Sequence, residues 1–172
     1  LGKGDFTLAS RVYQLALKKF PNDAEIHYGV AKSFESSDRK MMQKHLEAAL
    51  AANPNHIPSH LLLIDNLIDR EAYTEARQMI AQVLKVNPEH PEAWAYRAVL
   101  AHLRNDVAGE KTARERALKH WPRNPRVPHL IGKKLSQKYR FTEGSAYQRQ
   151  ALIFDAKHIP ARIQLAQDLL RL

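Results

Sequence analysis

Apolar residues along this chain recur at helical spacing in short runs broken by polar turns. Leu63, Ile64 and Leu67 fall on one stripe. Tyr73, Ala76, Ile80, Val83 and Leu84 form a second, with "DREAY" as the break between them. This spacing predicts two amphipathic helices of three to four turns joined by a short turn. An Asn-Pro pair at Asn87-Pro88 closes the second. Proline cannot continue a helix, and it pushes the residue before it out of the helical region.

The same unit recurs. "ANPNHIPSH" from Ala52, "VNPEHPEAW" from Val86, "HWPRNPRVP" from His120 and "FDAKHIPAR" from Phe154 align at Pro54, Pro88, Pro122 and Ala156, in steps of 34 residues. Pro21 lies 33 residues before Pro54, a one-residue deletion. Fixed spacing on this scale is the mark of a repeat array. The period predicts full units over 24–54, 57–88, 91–122 and 125–156. These are flanked by a second helix at 1–21 and a first helix at 159–172, about ten helices in one array over 1–172.

At these positions the chain resembles the tetratricopeptide repeat family, whose pattern runs W-x2-L-G-x2-Y, then A-x3-F, then A and P. Trp94 and Ala98 stand at the first and small-residue places of the fourth unit. Gly4-Asp5-Phe6, Ala9, Tyr13, Ala16 and Pro21 give a nearly complete second half of the first. The resemblance implies an all-α, right-handed α-solenoid of antiparallel helix hairpins. Small residues (Ala31, Ala98, Gly132, Ala166; Ala9, Ala76, Gly144) would let paired helices approach closely. From "LSQKYRF", which begins at Leu135, the C-terminal stretch is similar to repeat segments of large bacterial multi-repeat proteins.

The fourth unit departs from the pattern. Arg97 occupies the family's Leu place, Glu110 a small-residue place and Arg114 the aromatic place. Facing one another in a hairpin, they predict an ion cluster in which Glu110 pairs with Arg97, Arg114 or both, since a buried charge needs a partner. The alternative is a rotated helix that turns Val107, Ala113 and Ala117 inward. Met42 replaces a small residue beside the deletion, where a loosened hairpin is expected.

Charge sharpens the picture. Residues 97–140 hold twelve Lys/Arg against three acids, which accounts for the whole formal net charge of +9. This is either an anion-facing patch or a solvated helical face. The absence of cysteine excludes disulfides and thiolate chemistry. The longest apolar run, "HLLLIDNLIDR", is broken by Asp65 and Asp69 and falls short of a membrane span. His56, His90 and His158 recur at one repeat position, which reads as a turn residue and not as a metal cluster. "LGKG" lacks the rest of a phosphate loop. No nucleophile or paired-carboxylate grouping stands out, so no enzyme activity, cofactor or metal is expected.

The resemblance implies a protein-binding scaffold whose ligand lies in the groove lined by the first helix of each hairpin. By position that groove is lined by Tyr28 and Lys32; Asp65 and Asp69; Tyr96 and His102; Arg126, His129, Lys133 and Gln137; and Gln164 and Gln167. The lining runs from acidic to basic, which suits a partner with an acidic segment. The Asn residues of the chaperone-type carboxylate clamp are absent from the corresponding places. A second reading is a basic helical repeat that binds RNA or another polyanion through 97–140, although that region lacks interleaved aromatics. "LGKGDF" reads as the turn of a repeat whose first helix is missing, and "LAQDLLRL" stops before the next turn. These features predict a segment of a larger protein, with Phe6, Val12, Leu165, Leu169 and Leu172 uncovered and available for self-association.

Overall fold

A computed structural model describes residues 6–172, except for the side chains of Phe6 and Thr7. The expected turn over residues 1–5 lies outside the described residues. Helices follow the predicted register: α1 (Phe6–Lys19), α2 (Ala24–Ser33), α3 (Arg39–Ala52), α4 (Ile57–Asp69), α5 (Tyr73–Val86), α6 (Pro91–Leu103), α7 (Val107–Ala117), α8 (Arg126–Ser136), α9 (Phe141–Phe154) and α10 (Ile159–Leu169). There is no strand among the described residues. The contacts divide the chain into two compact units, Leu1–Leu63 and Ile64–Leu172, with the boundary inside α4.

In the first unit α1 packs on α2, and α2 on α3. Gly29 allows the first crossing, because a Cβ there would collide with the Tyr13 ring. Ala31, Met42, Leu46 and Leu62 form the core beneath Tyr28 and Phe34. Met42 does not loosen this hairpin: it is 2% exposed, its flexible thioether filling the place of a smaller residue. Asp23 caps α2 by accepting from Ile26 N–H, and Asp38 caps α3 by accepting from Met41 N–H.

In the second unit α6 packs on α7, α8 on α9, and α10 on α9, with α6 also against α8. Ile64, Ile68, Ile80, Val99, Ile131 and Leu135 are buried. Gly132 and Gly144 cross so closely that a Cβ on Gly132 would meet the Gly144 carbonyl and the Gln148 side chain. Ala166, expected at such a crossing, is exposed. Within three hairpins the chain reverses through a residue of positive φ, Glu71 (63°), Asn105 (60°) and Tyr139 (62°). These are 34 residues apart, so the repeat extends to backbone conformation. At each, the following N–H reaches back to a carbonyl of the helix just ended: Ala72 to Leu67, Asp106 to Ala101 and Arg140 to Leu135.

Candidate functional site

The first-helix face differs between the two units. In the first unit Tyr28 is half-buried, with its ring edge-on to His56 at 5.7 Å between centroids. Lys32 pairs with Glu35 at 2.6 Å, just past the end of α2.

In the second unit the acidic groove positions are occupied from within the chain. Lys134 of α8, 1% exposed, places its Nζ 2.7 Å from Asp65 and 2.8 Å from Asp69. Asp65 also accepts from the Tyr96 hydroxyl at 2.9 Å. Burial, and then the negative charge of Asp65, push the Tyr96 phenol well above its ordinary pKa. Tyr96 is 6% exposed, so it is a buried strut and not an open contact. One turn beyond Lys134, Lys138 donates to the Asp69 carbonyl and to Glu71, each at 3.0 Å. Two ammonium groups therefore meet the last turn of α4, where the helix dipole and its unpaired carbonyls attract cations. Periodicity does not single out Lys134, because its repeat position holds Asn66 and Leu100 in the two preceding units. A lysine at a place that holds leucine one repeat earlier was the available signal.

The remaining positions separate into tied and open side chains. His102 lies 3.6 Å from Glu143 and edge-on to Tyr147. His129 donates from Nδ1 to Gln148 Oε1 at 2.8 Å, and burial lowers its pKa most. Gln164 donates to the buried Asp168 at 2.8 Å, and Asp168 also accepts from Ser136. Arg126, Gln137 and Gln167 are exposed and Lys133 half-exposed. Neither Arg126 nor Lys133 is in an ion pair among the described residues.

The structure divides the expected ion cluster. Glu110, 8% exposed, accepts from Arg114 Nε at 2.8 Å and from the Tyr147 hydroxyl of α9 at 2.7 Å. Burial, then the bond to Glu110, push the Tyr147 phenol up. Arg97 takes no part. Its guanidinium lies 5.0 Å from the centre of the Trp94 ring, on the exposed side of α6. Stacking on an indole keeps that charge in water, whereas reaching Glu110 would bury it. The rotated alternative is met only in part, with Ala113 and Ala117 buried and Val107 79% exposed.

The periodic histidines are helix caps. His90 Nδ1 accepts from Ala93 N–H at 3.4 Å and His158 Nδ1 from Ala161 N–H at 3.3 Å, each at the start of a helix with proline in its first turn. His56 makes the equivalent contact with Ser59 N–H at 3.3 Å. Among the described residues no group of three or more His, Asp or Glu is placed to hold a metal ion, and no helix is long and apolar enough to cross a membrane.

Hairpins in a 34-residue register, joined by left-handed turns and packed through small residues, define an all-α repeat array. The tetratricopeptide repeat family matches residues 43–100. A thermophilic tetratricopeptide repeat protein of Thermus thermophilus has a similar structure: TM-score 0.71, 18% identity, covering 98% of this chain and 93% of that one. The structure of pilF from Pseudomonas aeruginosa is similar at TM-score 0.68 and 19% identity, covering 99% and 84%. MamA is similar at TM-score 0.62 and 19% identity, covering 91% and 92%. At such identities the likeness is one of fold. No curated protein matches the chain. Residues 43–100 thus match the tetratricopeptide repeat family, and over its described length the chain shares the fold of tetratricopeptide repeat structures.

Proposed function

We propose that this chain is a non-catalytic scaffold that binds a protein partner through an acidic segment laid on the first-helix face of the second unit. The fold is one whose members serve as protein-interaction scaffolds. The observation that carries the reading is the charge left over on that face. Lys134 already neutralises Asp65 and Asp69. Arg126 and Lys133 remain without acidic partners among the described residues, and Gln137 and Gln167 are exposed. An acidic segment would complete what the chain's own carboxylates do not. A photo-crosslinking residue at Lys133 or Gln137 should capture a partner, with capture weakened by Arg126→Glu. The same residue at Arg149, on the second-helix face, should not. Equal capture from both faces would overturn the reading.

A polyanion-binding role for residues 97–140 has less support. Arg104, Lys111, Arg114, Lys119, Lys134, Lys138 and Arg140 all pair with carboxylates of this chain, leaving five of the twelve basic residues for an outside ligand.

Exposed apolar side chains favour self-association as well. Leu8, Val12 and Leu15 on α1 are more than half exposed, as are Ile163 of α10 and Leu170 and Leu172 beyond it. Of the positions expected to be uncovered, Val12, Leu169 and Leu172 are exposed, Leu165 is half-buried and the Phe6 side chain lies outside the described residues. Sedimentation velocity should give a weight that rises with concentration; a constant monomer weight would refute this.

A further inference from the structure

Away from the first-helix face, α5, α6 and α7 line an open pocket of about 660 Å³. That volume falls in the range of ligand sites. The fourth unit's departures open it. Where the family carries Leu and Tyr, this unit has Arg97 and Ala101. Every other unit fills both places with apolar bulk: Val30 and Phe34, Leu63 and Leu67, Ile131 and Leu135, Leu165 and Leu169. The small side chain at 101 leaves space, and the arginine at 97 lines it with charge.

The lining is chemically mixed. Leu100, Ala101 and Ala113 supply an apolar floor, while guanidiniums come from Arg77, Arg97, Arg104 and Arg116. Arg104 lies 3.7 Å from Asp106, the one carboxylate in the lining, which also caps α7 through Gly109 N–H. Arg77 donates to Thr74. Arg97 and Arg116 form no ion pair among the described residues, yet both lie over the Trp94 ring, at 5.0 and 5.8 Å from its centre. Two like charges gathered at one ring, flat and water-accessible, suit planar oxyanions taken in fork geometry. A free phosphate would have no use for the apolar floor. Carboxylates flanking an apolar side chain would use both.

We propose that this pocket is a second docking site, which takes an acidic peptide segment of a partner protein. Arg97 and Arg116 hold its carboxylates, and an apolar side chain between them sits on Leu100, Ala101 and Ala113. The proposal rests on the reading of the chain as a protein-binding scaffold but concerns a different surface.

The test uses the full chain with Trp121→Phe, so that Trp94 is the sole indole. The probe is a capped peptide of two glutamates on each side of a leucine, followed by Trp94 emission. The expected result is a saturable shift, at least about tenfold weaker when the glutamates are glutamines or when salt is raised to 0.5 M. Arg97→Leu with Ala101→Tyr restores the family's residues; it should keep full helical circular dichroism and abolish the shift. Equal binding of the glutamine peptide, persistence of the shift in the double variant, or tighter binding of inorganic pyrophosphate than of the peptide would overturn the assignment. A chain that crosslinks a partner from Lys133 but gives no Trp94 response refutes this proposal and leaves the groove reading standing.

Discussion

Acidification should weaken this fold through two of its helix caps. His90 and His158 each use the Nδ1 lone pair to accept a backbone N–H, at the starts of α6 and α10. A protonated imidazole has no such lone pair, and its charge opposes the positive end of the helix dipole. Burial is the main cause lowering both pKa values below the ordinary 6.5, against smaller opposing effects of Glu92 and Asp155. The unfolded chain therefore binds these protons more tightly. The caps' contribution is complete above pH 6.5 and is lost as pH falls through the lower folded values. A lost side-chain cap costs about 1 kcal/mol, so the pair should cost about 2 kcal/mol. For a chain of this length that is about 4–8 °C in melting temperature. Urea unfolding followed by circular dichroism at pH 7.5 and pH 5.0 measures it. His45 and His129 also have lowered pKa values, chiefly through burial, and titrate in the same direction. The discriminating variant is therefore His90→Asn with His158→Asn, which keeps a strong cap that does not titrate. It should match the parent at pH 7.5 and exceed it by about 2 kcal/mol at pH 5.0. Parallel pH profiles for parent and variant would refute the reasoning.

Lys134→Met should destabilise the second unit by about 3 kcal/mol in urea unfolding, because it leaves Asp65 and Asp69 facing each other without a counter-ion. Adding Asp65→Asn and Asp69→Asn should restore most of that loss, and a triple variant no better than the single one would show that the lysine acts through its stem. Tyr139→Gly should stabilise by about 0.5 kcal/mol, since relief of a left-handed residue outweighs the entropy that glycine adds. The gain is reduced by the lost contact with Phe141. A Tyr139→Ala variant as stable as the glycine one would contradict it.

The order of helices was legible because two local signals coincide: apolar spacing within helices and proline or small residues between them. The 34-residue step carried that reading across the chain. Pairing between repeats was not legible. A buried Glu110 needs a partner, and Arg114 is four residues away on the same helix. Its other partner, Tyr147, is on α9 and is 37 residues distant. The helical position of Arg97 points to the same cluster, but position alone ignores the option of stacking outward on Trp94. Position alone likewise gives Asp65 and Asp69 as groove lining and not as partners of Lys134. Periodicity gives each residue's place in its own hairpin but not which side chain of a later hairpin reaches it.

An array whose hairpins touch only their neighbours unravels like a zipper, one hairpin at a time from either end. Lys134 and Lys138 bypass α6 to reach the end of α4 and the turn after it, bonding Asp69 and Glu71, 65 and 67 positions away. That link ties the last turn of α4 to α8, since loosening α8 strips the counter-ion from Asp65 and Asp69 at the same moment. The same link must close a long loop before it contributes anything, so it stabilises the native state without speeding its formation.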